Sequence, residues 1–205
     1  MDKEDGTINV LESPENSELS CMCFLPNCCL VATGHEDGAI RLWNLEISSS
    51  VVLKSPKGGN HSNSISCIIG ENFNDQEFMI AGSYDGTLSI WEITQKAQTQ
   101  GKDDAANNGS TTIYPQFRSM IDNTKDNEID ITTESYEILC IYYFKNTDID
   151  GDMSEKIDSD QDKIKDKDGY IMVGGNCKRI QVYKFKTGEY FCSMEGHQDS
   201  VTCFA

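Results

Sequence analysis

Residues 29–46 read CLVATGHEDGAIRLWNLE, and residues 78–94 read FMIAGSYDGTLSIWEIT. Each opens with a short apolar run, passes through Asp-Gly and continues as alternating residues that end at a tryptophan. Alternation places every second side chain on one face of a strand, and a short apolar run before a turn signal fits a strand as well. Asp37-Gly38 and Asp85-Gly86 then read as two-residue hairpin turns, whose central residues both take positive φ. The two Asp residues are 48 positions apart, and so are Trp43 and Trp91. A period of that length holds four strands and their turns. The sequence is therefore all-β and repetitive.

Working outward, a shorter pattern marks where each repeat begins. It appears as Leu19-Ser20-Cys21-Met22, Ile65-Ser66-Cys67-Ile68, Ile138-Leu139-Cys140-Ile141 and Val201-Thr202-Cys203-Phe204. A third, degenerate copy of the longer pattern follows in YIMVGGNCKRIQVYKFKTGEYFCSMEGH, residues 170–197, with its turn at Asn176-Cys177 and Tyr183 in the tryptophan place. These signals predict strands at 19–24, 29–33, 39–45 and 51–54 in the first repeat. The second repeat is predicted at 65–69, 78–82, 87–93 and 111–117, and the third at 136–144, 170–174, 179–185 and 189–194. A fourth copy opens at Gly196-His197.

These residues resemble the WD-repeat family, which builds β-propellers from blades of four antiparallel strands. The resemblance places blades at about 17–54, 61–117 and 135–194, with the start of a fourth at 196–205. A closed ring takes roughly four to eight blades. The expectation is thus the N-terminal part of a propeller, its ring incomplete in this chain, with Thr7–Leu11 as the strand that would pair with a last blade. The family also implies a buried hydrogen-bond chain through a turn Asp, the His of Gly-His, a strand Ser or Thr, and Trp. The first repeat offers Asp37, Thr33 and Trp43, with Glu15 in the His place. The second offers Asp85, His61 and Trp91, with Ala81 where Ser or Thr belongs and Asn60 where Gly belongs. The third keeps none of the four, and the fourth shows Gly196, His197, Asp199 and Val201. His35 stands outside this scheme, beside the first turn, and is expected to be exposed.

Polar stretches interrupt the period. Residues 95–110 and 121–133 are rich in Gln, Asn, Asp and Gly or similarly polar, and read as surface loops. Residues 146–168 form an acidic insertion with nine Asp or Glu against four Lys. Asn146, Asp148, Asp150 and Gly151 match the opening of a calcium-binding EF-hand loop, but its twelfth position, which needs a bidentate Glu, is Ile157. A solvated acidic loop is the better reading, so no metal site and no cofactor is assigned.

Composition narrows the function. The chain has 205 residues, 38% of them hydrophobic, and 17 Lys and Arg against 34 Asp and Glu. A net charge of −17 opposes binding to nucleic acid or to an anionic membrane, and it attracts basic protein partners. No signal peptide or membrane span is read, so the expected location is cytoplasmic, in a cytoskeletal or ciliary setting by family analogy. The nine cysteines fall in strand-like apolar runs without zinc spacing, which makes them reduced core residues. No nucleophile elbow, metalloprotease helix or phosphate-binding glycine loop occurs. The reading is a non-catalytic interaction scaffold, a platform subunit of a larger assembly. The alternatives are a regulatory adaptor whose acidic loop binds calcium or a basic partner, and a catalytic propeller with its active site elsewhere.

Overall fold

In the computed structural model, residues 17–45, 49–54, 60–97, 111–123, 136–145 and 168–205 are described, and they form twelve strands and no helix. The first sheet holds β1 (Leu19–Leu25), β2 (Leu30–His35), β3 (Ile40–Asn44) and β4 (Ser49–Val52). The second holds β5 (Ile65–Phe73), β6 (Gln76–Ser83), β7 (Thr87–Ala97) and β8 (Thr111–Asp122). The third holds β9 (Ile138–Phe144), β10 (Tyr170–Gly175), β11 (Ile180–Lys184) and β12 (Tyr190–Met194). Each sheet is an antiparallel meander in chain order. β1 lies against β5, and β5 against β9, so the three sheets stand as blades with their first strands innermost.

The core is two layers between blades. One joins Leu25, Leu30, Leu42 and Leu53 of the first blade to Ile65, Met79, Trp91 and Ile93 of the second. The other joins Phe78, Ile80, Leu88 and Ile90 of the second to Ile138, Ile171, Val173 and Tyr183 of the third. The second blade is covered on both sides, which is why residues 77–83 are all buried and read as a continuous apolar run rather than an alternation.

One contact recurs at each joint and accounts for the repeated cysteine. Cys21, Cys67 and Cys140 on the innermost strands pair with Gly34, Gly82 and Gly174 on the next strand. A Cβ at those glycines would lie 2.5 Å from Ile65, 2.7 Å from Ile138 and 2.7 Å from Val201. The missing side chain is therefore the socket for an aliphatic residue of the following element. The thiols of Cys21 and Cys140 also donate to the carbonyls of Ile65 (3.6 Å) and Val201 (3.4 Å). At the middle joint Ser66 Oγ donates instead, to the carbonyl of Ile138.

Several expectations are corrected. The Asp-Gly turns are in the expected places but are of another type. Within each Asp-Gly pair the glycine alone, Gly38 or Gly86, has positive φ, and Gly38 N–H and Gly86 N–H bond back to His35 O and Ser83 O (3.1 Å each). Each is a turn with Asp in a right-handed position followed by a left-handed glycine, a three-residue-type hairpin connection. The outer strand of the first blade is Ser49–Val52 rather than 51–54, because Leu53 turns in to cap the core at 5% exposure. β7 and β8 pair through Ala97 and from Thr111 to Asp122, so residues 95–97 and 121–122 are strand, not loop. The ladder of paired backbone groups outweighs their polar composition. Val201–Ala205, expected to open another strand, makes no ladder; Val201 N–H donates to Gly175 O at 3.0 Å. The expected strand at Thr7–Leu11, Glu15, and residues 98–110, 124–135 and 146–167 lie outside the described residues.

Candidate interaction face

The antiparallel meander puts the entry to each first strand and each second-to-third strand turn at the same end of a blade. At that end the loops are tied to one another by backbone bonds. Glu36 N–H donates to Glu18 O (3.1 Å), Tyr84 N–H to Ser64 O (3.0 Å) and Asn176 N–H to Glu137 O (3.2 Å). The joint between the first two blades is equally close. A Cβ on Gly38 would lie 2.5 Å from His61 O, and Gly38 also has φ +79°, so glycine is required twice over. Ser200 Oγ lies 3.0 Å from Asn176 Oδ1 and carries the connection past the third blade.

Buried polar chains fix these turns from below, and their membership differs from the family pattern. In the first blade Trp43 Nε1–H donates to Thr33 Oγ1 (2.8 Å), and Thr33 Oγ1 lies 2.9 Å from His35 Nε2. His35 Nδ1 faces the carbonyl of Ser17 at 3.3 Å, which makes Nδ1 the protonated nitrogen and leaves Nε2 to accept from Thr33. His35 is thus 3% exposed and part of the chain, not an exposed bystander. It fills the histidine role that Glu15 could not. Asp37 stays out of this chain: its Oδ1 accepts Ala39 N–H at 3.0 Å.

In the second blade His61 Nδ1 lies 2.9 Å from Thr87 Oγ1, and Thr87 Oγ1–H donates to Asp85 Oδ1 at 2.6 Å. His61 Nε2 lies 2.8 Å from Ser89 Oγ. Trp91 is left out. Ala81 offers it no hydroxyl, and its buried indole N–H has no acceptor among the described residues. In the third blade the Tyr183 hydroxyl donates across the joint to Asn123 Oδ1 of the second. His197 is exposed, and Asp199 Oδ1 accepts Ser200 N–H (2.8 Å). Ser17, Thr87, Ser89 and Asn123 were not expected. Their only signal is position: Thr87 lies two residues past Asp85, and Ser89 faces Ala81 across the β6–β7 pair.

The face is rich in carboxylates: Glu18, Glu36 and Asp37 on the first blade, Asp85 on the second, Glu137, Glu195 and Asp199 on the third. Lys178 and Arg179 lie among them, and Arg179 Nε is 3.5 Å from Glu195 Oε1. Burial alone would raise the Asp85 pKa, but bonds from His61, Thr87 and the Ser62 amide outweigh it and hold the carboxyl far below its usual range. Asp37 is shifted the same way; desolvation opposes the shift, and bonds from the Ala39 amide and Ser17 drive it. Both are firmly anionic at neutral pH. Tyr84 stands 40% exposed at the tip of the second turn.

No group of three or more His, Cys, Asp and Glu among the described residues is placed to hold a metal ion. The residues considered for calcium, Asn146, Asp148, Asp150, Gly151 and Ile157, lie outside the described residues. Asp168, the last of that insertion, is described, and its carboxylate takes the ammonium of Lys186 at 3.1 Å.

The family profile described as WD domain, G-beta repeat matches residues 5–44 and 54–92. Protein DSE1 of Candida albicans is 28% identical over 123 residues, which is 58% of this chain and 16% of that protein. Among solved structures, the crystal structure of RRP9 WD40 repeats aligns with a TM-score of 0.57 and 16% identity over 95% of this chain and 43% of that one. A chain of the crystal structure of the mitotic checkpoint complex aligns with a TM-score of 0.56 and 12% identity over 97% of this chain and 45% of that one. The chain thus spans less than half the length of each of these three.

Proposed function

The chain belongs to the WD-repeat β-propeller family, and on that premise we propose that it is a non-catalytic platform subunit whose carboxylate-rich loop face takes basic segments of protein partners. WD repeats generally act as protein-interaction scaffolds, and the propeller fold is typically non-catalytic. The observation that carries the finer reading is the loop face itself, where carboxylates from all three blades are held on turns cross-linked by backbone bonds. Loops on a rigid scaffold are suited to recognition, because little ordering entropy is lost when they bind. Like charges at fixed positions give a partner both steering and register. The setting proposed for this platform is cytoplasmic, in a cytoskeletal or ciliary assembly, and rests on family analogy; imaging the tagged chain in cells tests it.

The direct test uses a capped peptide of alternating Lys and Arg, titrated against the chain. Glu18 and Glu36 are exposed, so Glu18→Lys with Glu36→Lys leaves the core intact. Binding is expected to weaken about tenfold in that double variant and to fall with added salt. Binding that ignores both the reversal and the salt would sink the proposal.

A further inference from the structure

On the face opposite the loops, the second and third blades part to leave a cavity of about 380 Å³. Its apolar wall is the rings of Phe73, Phe78 and Phe185, which meet edge to face with centroids 6.4, 5.7 and 5.1 Å apart. Its mouth carries two ion pairs whose cations stand outermost. Arg118 pairs with Glu92, and Lys186 Nζ lies 3.1 Å from Asp168. The carboxylates are the inward partners, with side chains 5% and 22% exposed, whereas Arg118 is 48% and Lys186 71% exposed. The anions hold the cations in place, and the cations meet whatever arrives from solvent. Lys145, outside the lining, holds its ammonium 5.1 Å from the centre of the Phe73 ring.

We propose that this cleft is a second binding site, for an acidic peptide segment that places an aromatic or large aliphatic side chain against the three phenylalanine rings and a neighbouring carboxylate at Arg118 and Lys186. The chain carries −17, so a cleft whose outward charged groups are both cations differs from the carboxylate-rich loop face and suits a partner that the loop face would not take. Guanidinium and ammonium groups held by inward carboxylates are pre-oriented, so little rotamer freedom is lost when a second carboxylate binds. Edge-to-face rings offer a further ring the offset geometry that aromatic groups prefer. The cavity lies in the size range of sites that take a ligand's apolar group while a few polar groups orient it. This site stands independently of the loop face.

The test is an NMR titration of the whole chain with three capped peptides: acetyl-Glu-Phe-Glu-amide, acetyl-Lys-Phe-Lys-amide and acetyl-Glu-Gly-Glu-amide. The first is expected to shift the resonances of Phe73 and Phe185 and to bind at least about fivefold more tightly than the others, since only it offers both the ring and the carboxylates. Lys186→Glu, at a mostly exposed position, is expected to weaken it about fivefold, and Lys186→Arg to retain it. Reversal of Glu18 and Glu36 should leave it unchanged. Equal binding of the basic peptide, indifference to Lys186→Glu, shifts confined to other surfaces, or no binding at millimolar peptide would each overturn the proposal.

Discussion

Replacing Ala81 with serine is expected to stabilise the second blade, although it puts a polar atom into a fully buried place. The reason lies in the register. Thr33 faces Arg41 and Val31 faces Trp43 in the first blade, while Ala81 faces Ser89 and Met79 faces Trp91 in the second. Position 81 is therefore the structural counterpart of Thr33, whose hydroxyl accepts Trp43 Nε1–H at 2.8 Å. In the second blade the Trp91 indole N–H is buried without an acceptor among the described residues, on a side chain only 4% exposed. An orphaned buried donor costs about 1–3 kcal/mol. A serine hydroxyl at 81 would accept from Trp91 and donate toward Ser89 Oγ, which faces it across the β6–β7 pair and itself reaches His61 Nε2, so its own desolvation is offset by bonds. The expected net gain is about 1 kcal/mol, or an increase of about 2–4 °C in Tm for a chain of this size. The controls separate bonding from packing. Ala81→Val adds volume without a hydroxyl at a position with 0% exposure and should destabilise by about 1–3 kcal/mol. Trp91→Phe removes the orphaned donor, so serine at 81 should gain nothing in that background. Urea unfolding followed by circular dichroism measures the parent chain and the four variants, the Ala81→Ser/Trp91→Phe double variant included. A serine variant as unstable as the valine one, or a gain that persists with Phe at 91, would refute the reasoning.

Other outcomes follow from the same geometry. Gly38→Ala combines a left-handed φ with a Cβ 2.5 Å from the His61 carbonyl, so a loss of about 2–4 kcal/mol is expected in urea unfolding; Gly196→Ala, strained at φ +131° but with no described atom within 4 Å of the added Cβ, should lose less. Asp85 has a folded-state pKa below its unfolded one, so its stabilisation is complete above the ordinary carboxylate pKa of about 3.9 and is lost as pH falls below it. Asp85→Asn should therefore flatten the acid limb of the stability–pH curve below about pH 4, and an unchanged limb would count against the His61–Thr87–Asp85 chain. Burial pushes the thiol of Cys67 up to about 12 and that of Cys140 up to about 11, whereas Cys29 and Cys203 are exposed. Alkylation at pH 8 followed by mass spectrometry should label Cys29 and Cys203 first and reach Cys67 and Cys140 only on unfolding.

How much was legible in the sequence depends on whether a residue's partner lies in its own repeat. The 48-residue spacing, the Asp-Gly turns and the cysteine-centred motif identified the four-stranded repeat and its family, because period and turn chemistry are local properties. The paired strands followed to within a few residues at most ends. What failed was assignment of polar partners by their place in a pattern. His35 looked idle because Glu15 held the expected position; in space the ring bends back from the end of β2 onto Thr33. Ser89 went unnoticed because it lies on the third strand rather than the second, and Asn123 because it reaches Tyr183 of the next blade.

The sequence alone, then, determined the all-β class, the repeat and the acidic charge, since periodicity and composition survive without knowledge of any contact. The tertiary structure alone decided which carboxylates share a face, which cations guard the cleft between the second and third blades, and which indole lacks a partner. Those outcomes depend on how blades are rotated against one another, and that rotation is set by side chains meeting across joints. Gly34 receiving Ile65 and Gly82 receiving Ile138 are contacts between residues far apart in the chain, and no local pattern encodes them.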